Sequence, residues 1–454
     1  MINEAEKLSR KPGPVHDGRN VMTSRPGMNP VREAAQTCLM AGSARVNITP
    51  PVGLPMDGYS DRQGEAVGVH DALWAKALVL EIGSRRIAFV CCDLVGIDPA
   101  IVRQVRDAVA VLPGDTTIFL SATHTHAGPA GARAPLNETV VRLVTDGIVR
   151  AFHMAMQCRV PARVGSGWGR ADGVGANRRD PTMPYDPVLG VLRVDALAGT
   201  TIALLVNFAC HPTVLPASNL LYSGDYPGAA VAEIERHLDH AAVAFFTNGA
   251  AGDISTRFTR LASSFEESER LGGILARAVL DVHGRIDPRP VHRVASATCI
   301  VQLPPSPTPS VETVEAELER ARRHLKATRA AGESSGQARI AHTTVQGLER
   351  QLARARQGVA SPVAAEVGAF AINGICGVAW PGEVFNAFAV ELRQRWQAPV
   401  FVLGYTNGLV GYVPSPEAFA TGGYEATSAR VGPTAGALIV ETSLALLHDV
   451  ATSV

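Results

Sequence analysis

Apolar and polar positions follow two different periods along this chain, and segments with the strand period alternate with segments with the helix period. Alternating or continuous apolar runs predict strands at 73–96 (a hairpin around a Gly-Ser turn), 116–122, 200–209, 241–248, 366–380 and 398–407. Apolar residues three or four apart predict amphipathic helices at 98–112, 137–157 and 227–240. The alternation predicts an α/β fold in which layered, mixed β-sheets are flanked by helices.

A segment of different composition interrupts the strand pattern in the second half of the chain. Residues 305–312 are rich in Pro and Ser, and residues 313–358 contain two charged, amphipathic stretches that predict an antiparallel helical hairpin. The strand pattern resumes afterwards, so we interpret the hairpin as an insertion, with a structural or lid role, in one domain spanning 39–454. Residues 1–38 lack an apolar signal-peptide core, and we expect a disordered N-terminal extension.

Composition excludes several classes of protein. The 454 residues include 42 Lys plus Arg and 42 Asp plus Glu, a balance that does not favour binding to nucleic acid. No apolar run reaches the roughly 18 residues of a transmembrane helix. The 7 cysteines are scattered without a Cys-x-x-Cys pair, which favours free thiols and a cytoplasmic location. The oligomeric state is left open.

Polar clusters that could carry chemistry follow the apolar, strand-like runs. They are His124 with His126, His211, Asp253 with Ser255, Glu383, and the segment from Tyr405 to Tyr412. Functional sites of open α/β sheets lie outside the carboxyl ends of strands. In an extended chain His124 and His126 would share one face, as two metal ligands or as a ligand beside an acid/base group. Together with His211 and Glu383 they offer the nitrogen and oxygen ligands of a catalytic zinc site.

The order of these motifs resembles that of the neutral/alkaline, non-lysosomal ceramidase family. The matching stretches are THTHAGPAG, NFACHP, GDIS, PGE and GYVPSPEAFATGGYEA, and the similarity extends from about Ala44 to the end of the chain. Members of that family are zinc amidases that cleave the N-acyl bond of ceramide. The resemblance therefore implies a ceramidase-like catalytic domain and a bound Zn²⁺.

The resemblance also implies roles for eight residues. The zinc ligands would be His124, His211, Glu383 and Tyr412, and the catalytic residues would be His126 (proton transfer), Ser255, Tyr424 and Arg178 (on the substrate side). The chain departs from the family pattern at GDISTR, where the family has GDVSPN, and this puts the role of Ser255 in doubt. The helical hairpin is an addition, and neither a C-terminal immunoglobulin-like domain nor a signal peptide is expected.

The expected chemistry is hydrolysis of an amide by zinc-activated water. His126 would protonate the departing amine, and Tyr424 and Arg178 would stabilise the oxyanion. Ser255 would either attack directly or orient the water; we favour the water because the segment lacks a Gly-x-Ser-x-Gly elbow. The substrate would be a ceramide-like lipid or a smaller N-acyl metabolite. The alternatives are a zinc esterase or lactonase, a serine hydrolase using Ser255, and a non-catalytic zinc-binding protein.

Overall fold

Two β-sheets packed face to face, with helices on both outer sides, form the framework of the protein. The computed structural model describes residues 38–330, 335–358 and 360–452, and all of them belong to one compact unit. The predicted N-terminal extension thus lies, except for residue 38, outside the described residues. The predicted α/β architecture of mixed sheets flanked by helices is confirmed.

The strands, in chain order, begin with β1 (Met40–Asn47), β2 (Gly68–Val69), β3 (Trp74–Ile82), β4 (Arg85–Cys92), β5 (Asp115–Ala122), β6 (Val160–Arg170), β7 (Ala176–Asn177), β8 (Val188–Ala196), β9 (Thr201–Phe208) and β10 (Leu221–Tyr222). They continue with β11 (Val243–Asn248), β12 (Ile254–Ser255), β13 (Arg289–Pro290), β14 (Val294–Leu303), β15 (Val363–Ile372), β16 (Ile375–Ala379), β17 (Glu383–Val384), β18 (Val400–Leu403) and β19 (Tyr412–Val413).

The helices are α1 (Pro99–Val109), α2 (Glu138–Gln157), α3 (Asp225–His237), α4 (Phe265–His283), α5 (Val311–Ala330), α6 (Ser335–Gln357), α7 (Asn386–Trp396), α8 (Pro416–Thr421), α9 (Tyr424–Ser428) and α10 (Ala435–Thr452).

In the larger sheet the strand order is β11-β9-β8-β6-β1-β3-β4-β5, with β13 beside β6, and in the smaller sheet it is β14-β15-β16-β18. Aromatic side chains of both sheets meet between the layers: the Phe370 ring lies 4.9 Å from Phe89 and 5.7 Å from Phe119. Each side chain of this kind, when fully buried, contributes roughly 1.5–3 kcal/mol to folding. This apolar layer fixes the two sheets against each other.

Helices cover the outer faces because each has an apolar stripe to bury. Helices α1 and α2 pack on the β1-β3-β4-β5 half of the larger sheet, and α3 and α4 pack on the β8-β9-β11 half. Helices α7 and α10 cover the smaller sheet. Within the described residues α10 has the length and mean hydropathy, 1.2, of a membrane-spanning helix. Half of it is buried against the smaller sheet, as expected of a core helix.

Helices α5 and α6 occupy the region for which the sequence predicts a hairpin. They bury a small apolar cluster of their own, made of Val314, Leu318, Val345, Leu348 and Leu352. Most other positions of both helices are polar. Helix α6 also contacts α9, and this contact brings the pair of helices to one wall of the cavity described below.

The carboxyl ends of strands from both sheets meet at one place. Strands β4 and β5, β9 and β11, and β16 and β18 are parallel pairs. The segment after β18 joins them: Ser121 forms a bridge with Thr406, and the Gly404 amide donates a 2.8 Å hydrogen bond to the Asn248 carbonyl. Polar residues that follow five different strands are therefore brought together, as expected for residues just beyond the carboxyl ends of strands.

Candidate metal centre

His124 lies two residues beyond the end of β5, and its backbone leaves the extended conformation. Its φ is +70°, in the left-handed region that non-glycine residues rarely adopt. The extended chain that would place His124 and His126 on one face is therefore not observed, although the two imidazoles still lie in contact. Strain of this kind persists where the surrounding structure imposes it, commonly at functional sites. The imidazole Nδ1 donates to the Val95 carbonyl at 2.5 Å, leaving Nε2 free to bind a metal.

His211 follows β9 and is held in place by the segment that contains Ser255. The two residues form a parallel bridge, and the His211 amide donates to the Ile254 carbonyl at 2.9 Å. The His211 Nδ1 donates to the Ala251 carbonyl at 2.6 Å. The two histidines thus share one arrangement, in which a backbone carbonyl sets the tautomer and Nε2 points inward.

Glu383 approaches the same point from the smaller sheet. Its strand β17 pairs with β19 for two residues, placing Glu383 opposite Tyr412. The Glu383 Oε2 lies 3.1 Å from the Nε2 of His211 and 3.4 Å from the Nε2 of His124. Gly252 packs against the backbone of Glu383, so closely that a Cβ on Gly252 would lie 2.3 Å from the Glu383 carbonyl oxygen. The carboxylate is thus held firmly between two imidazoles.

His126 completes a cluster of three imidazoles. Its Nε2 lies 3.3 Å from the Nε2 of His124, and the ligand atoms of His124, His126 and His211 all lie within 4.8 Å of one another. On its other side the ring contacts Tyr59, with ring centroids 4.9 Å apart. Unlike the other two histidines, His126 has a buried Nδ1 without a hydrogen-bond partner among the described residues.

Burial favours the neutral forms of the His126 and His211 imidazoles, whereas Glu383 remains a negative carboxylate. Burial, reinforced by Arg178, lowers the pKa of His211 to about 4. Burial and the neighbouring imidazoles of His124 and His211 lower the pKa of His126 well below its usual value. Burial alone would raise the pKa of Glu383, but His124 and His211 hold that pKa well below its ordinary range.

These features fit a divalent metal ion. Neutral imidazole nitrogens and a carboxylate oxygen are the donors that zinc takes in catalytic sites. The buried Glu383 carboxylate also requires a nearby cation to offset its desolvation. The phenol oxygen of Tyr405 is buried with no hydrogen-bond partner in the described part of the chain, and its ring lies 4.2 Å from that of His124. The donor set, its burial and its unpartnered atoms are all those of a metal-binding pocket.

A buried ion-pair network lies behind the cluster. Arg178 donates through Nε to Glu425 at 2.8 Å and through Nη2 to the Gly252 carbonyl at 2.8 Å, and its guanidinium lies 5.3 Å from the centroid of the Tyr412 ring. Arg179 donates to the other oxygen of Glu425 at 2.9 Å. Arg178 is therefore engaged by protein groups and positions the segment that carries Tyr412.

Tyr412 and Tyr424 stand side by side at the edge of the cluster. The Tyr412 ring is stacked at 6.4 Å from that of His211 and lies 5.6 Å from that of Tyr424. The Tyr424 hydroxyl accepts a 2.7 Å hydrogen bond from Nη1 of Arg350, on α6. Its own proton thus remains available to a substrate oxygen.

Ser255 is buried beside His211 and lines the same cavity. Its Oγ accepts a hydrogen bond from the Arg257 amide at 3.2 Å and caps a short 3₁₀ turn, Thr256–Phe258. Among the described residues no imidazole forms a hydrogen bond with this hydroxyl. The geometry thus lacks the Ser–His pair of a serine hydrolase.

A cavity of about 440 Å³ opens onto the cluster. Its walls include all the predicted site residues except His211, which lies behind them. Part of the lining comes from the region of Tyr59, and another part comes from α6 and α9. The volume is in the range of small-molecule sites, so a substrate could reach the histidines.

A sequence model of the family described as neutral/alkaline non-lysosomal ceramidase, N-terminal, matches residues 39–268. This segment is half of the chain and contains the three histidines and Ser255. The chain belongs to the neutral/alkaline non-lysosomal ceramidase family. The resemblance inferred from the order of the motifs is thereby confirmed.

Individual relatives agree with this assignment. The neutral ceramidase of Pseudomonas aeruginosa is 29% identical over 228 residues, which cover 44% of this chain and 34% of that protein. The neutral ceramidase of Mycobacterium tuberculosis is 26% identical over 40% of this chain and 33% of its own length. The matches thus span about a third of each curated relative. The crystal structure of the Pseudomonas aeruginosa enzyme superposes with a TM-score of 0.73 at 22% identity, covering 91% of this chain and 75% of that one.

The structure brings together the residues singled out from the sequence. His124, His211 and Glu383 converge with His126, whereas Arg178, Ser255, Tyr412 and Tyr424 surround them. Two further residues of the site, Tyr59 and Glu425, were not among the polar clusters predicted to follow strands. Glu425 falls in the quoted stretch GYVPSPEAFATGGYEA, but no local pattern marks either residue as a part of the site.

Free thiols were also expected. All seven cysteines are free in the structure. The cytoplasmic location stays a prediction.

Proposed function

We propose that this protein is a zinc-dependent amidohydrolase that cleaves the N-acyl bond of a ceramide-like lipid or a smaller N-acyl metabolite. The observation that carries the proposal is the convergence of three imidazoles and one carboxylate at the end of a 440 Å³ cavity. Membership of the ceramidase family supports the choice of an amide as the bond that is cleaved.

The ion would be held by His124, His211 and Glu383, with Tyr412 at the edge of the shell. Bound zinc supplies Lewis-acid chemistry, since it polarises a carbonyl group and lowers the pKa of water to roughly 7. The backbone carbonyls of Val95 and Ala251 orient the two imidazoles for this task.

Residues of the chain carry out proton transfer, oxyanion stabilisation and orientation of the water. His126 faces the cavity beside the cluster, so its imidazole takes a proton from the attacking water and delivers it to the nitrogen of the departing amine. The Tyr424 hydroxyl donates to the developing oxyanion. Ser255 orients the water, because no described imidazole is hydrogen-bonded to its hydroxyl as the base that direct attack would require. Arg178 acts indirectly, through Tyr412 and Glu425.

The test combines metal analysis with turnover. Purified protein should contain about one zinc per chain, and a chelator should abolish hydrolysis of fluorogenic N-acyl amides until zinc is restored. Esters and lactones of matched chain length test whether amides are the preferred class. Chelator-resistant turnover combined with fluorophosphonate labelling of Ser255 would replace the proposal with a serine hydrolase. Bound zinc without turnover of any substrate would leave a non-catalytic zinc protein.

A further inference from the structure

The cavity in front of the metal centre has an excess of positive charge. Its described lining contains six arginines, namely Arg133, Arg178, Arg179, Arg257, Arg260 and Arg350, and three carboxylates, namely Asp61, Glu383 and Glu425. A metal ion bound by Glu383 would offset one of those carboxylates as well. A low-dielectric cleft lined by one sign of charge concentrates ligands of the opposite sign.

Arg350 differs from three of the other arginines, Arg133, Arg178 and Arg179, in how its charge is used. Arg133 pairs with Asp57, whereas Arg178 and Arg179 share Glu425. In the described part of the chain Arg350 has no carboxylate partner. Its contacts are the hydrogen bond to the Tyr424 hydroxyl and a position 5.5 Å from the centroid of the same ring. The charge of this guanidinium thus remains available to a ligand in the cavity.

The wall that carries Arg350 is fixed and mostly polar. The residues of α6 that line the cavity are Ile340, His342, Thr343, Thr344, Gln346 and Arg350. Farther along α6, Gly347 lies against α9 so closely that a Cβ would be 2.1 Å from the Thr427 hydroxyl. Arg354 also donates to the Thr427 and Ser428 carbonyls. Helix α6 is therefore packed firmly into the wall of the cavity. It offers the cavity a cation, whereas a sphingoid chain would require apolar contacts.

We propose that the substrate is an N-acylated amino acid, whose carboxylate is bound by Arg350 while its amide lies at the metal centre. This inference rests on the proposed amidohydrolase function and names its substrate class. A guanidinium binds a carboxylate through two parallel hydrogen bonds, which a neutral hydroxyl cannot form. Tyr424 connects the two parts of the site, because it contacts both Arg350 and Tyr412.

The experiment compares N-lauroylglycine with N-lauroylethanolamine, which differ by a carboxylate in place of a hydroxymethyl group, and includes a short-chain ceramide. With the zinc-loaded protein we expect kcat/KM to favour N-lauroylglycine over both neutral amides by on the order of 10- to 100-fold, the factor that a charge-assisted hydrogen bond provides. Arg350→Ala should remove this preference by raising KM for N-lauroylglycine, and Arg350→Lys should retain part of it.

The matched control is Arg356→Ala. This arginine is also on α6, but it pairs with Glu315 and does not line the cavity, so the preference should be unchanged. Equal losses for both lauroyl amides in Arg350→Ala would mean that Arg350 acts only through Tyr424, and this would overturn the inference. A wild-type protein that cleaves the neutral amides equally well would overturn it too.

Binding separates this inference from the proposed function. Calorimetry should give a lower Kd for N-lauroylglycine than for N-lauroylethanolamine, and Arg350→Ala should abolish the difference. Selective binding without hydrolysis of any amide would contradict the amidohydrolase proposal but support the carboxylate site at Arg350. Hydrolysis without a preference for the carboxylate would support the amidohydrolase proposal and contradict the carboxylate site.

Discussion

The contact between Gly58 and His126 offers a sharp test of the proton-transfer role. A Cβ built on Gly58 would lie 2.5 Å from Cγ, 2.6 Å from Cβ and 2.7 Å from Cα of His126. Carbon atoms at optimal contact are about 3.5–4.0 Å apart. The three nearest atoms all belong to His126, so the Gly58→Ala substitution must move His126 by about 1 Å.

A displacement of that size has a predictable effect on rate. Misplacing a reacting group by about 1 Å costs on the order of 10²-fold, because proton transfer requires close alignment. We expect kcat of Gly58→Ala to fall by about that factor while the zinc content stays at the wild-type level. The measurements are steady-state kinetics on an N-acyl amide and metal analysis of the same preparation.

Gly173→Ala is the matched control. Gly58 and Gly173 both have positive φ, +102° and +83°, but a Cβ at Gly173 would meet no atom within 4 Å. Both variants should lose roughly 1–2 kcal/mol of stability to left-handed strain, measured by urea unfolding. If Gly58→Ala turned over as fast as Gly173→Ala, the proposed role of His126 would have to be abandoned.

Three further predictions concern the centre and the network behind it. His211→Ala should lose both zinc and activity, and full zinc in that variant would remove His211 from the ligand set. His126→Ala should keep its zinc yet turn over on the order of 10²- to 10⁴-fold more slowly, whereas loss of zinc would make His126 a ligand. Glu425→Gln should destabilise the protein by roughly 3–5 kcal/mol in denaturant titrations, because it breaks a buried ion pair. Glu441→Gln, in an exposed pair with Arg395, should unfold like the wild type, and similar midpoints for the two variants would contradict this account.

Much of the framework could be predicted from the sequence because its strands are buried on both faces. Strands β5, β9 and β11 have continuous apolar runs, and the helices between them have clear apolar stripes. Polar residues just beyond such strands must gather at one edge, so the metal centre could be located before its geometry was known. The roles of individual residues came from the order of the motifs.

Strand β6 and helix α4 are harder to predict because their local sequence patterns are weak. Strand β6 has glycine at three of its positions, Gly165, Gly167 and Gly169, where α4 and its following turn approach closely, and this composition hides the strand pattern. Helix α4 was not predicted, although Ser264 and Glu267 form a recognisable start signal in which the serine hydroxyl accepts from the glutamate amide.

Tertiary constraints account for the remaining differences. The left-handed backbone of His124 follows from hydrogen bonds to Leu94 and Val95. These long-range contacts cannot be predicted from the alternation of apolar and polar residues. The two-residue pairing of β17 with β19 and the bridge between His211 and Ser255 are too short for a periodic signal. They nevertheless position Glu383 and Tyr412, and only the folded chain reveals them.

The two-residue pairing of β17 with β19 also limits how far this protein could be reduced. A polypeptide trimmed to the family segment, 39–268, would keep every imidazole of the cluster and lose the carboxylate that binds it from the opposite layer. Without Glu383 such a fragment would offer the ion imidazole nitrogens without a carboxylate, so its affinity for a divalent ion should fall steeply. A smaller version of this protein would have to retain both the segment that carries the histidines and the segment that carries Glu383 and Tyr412.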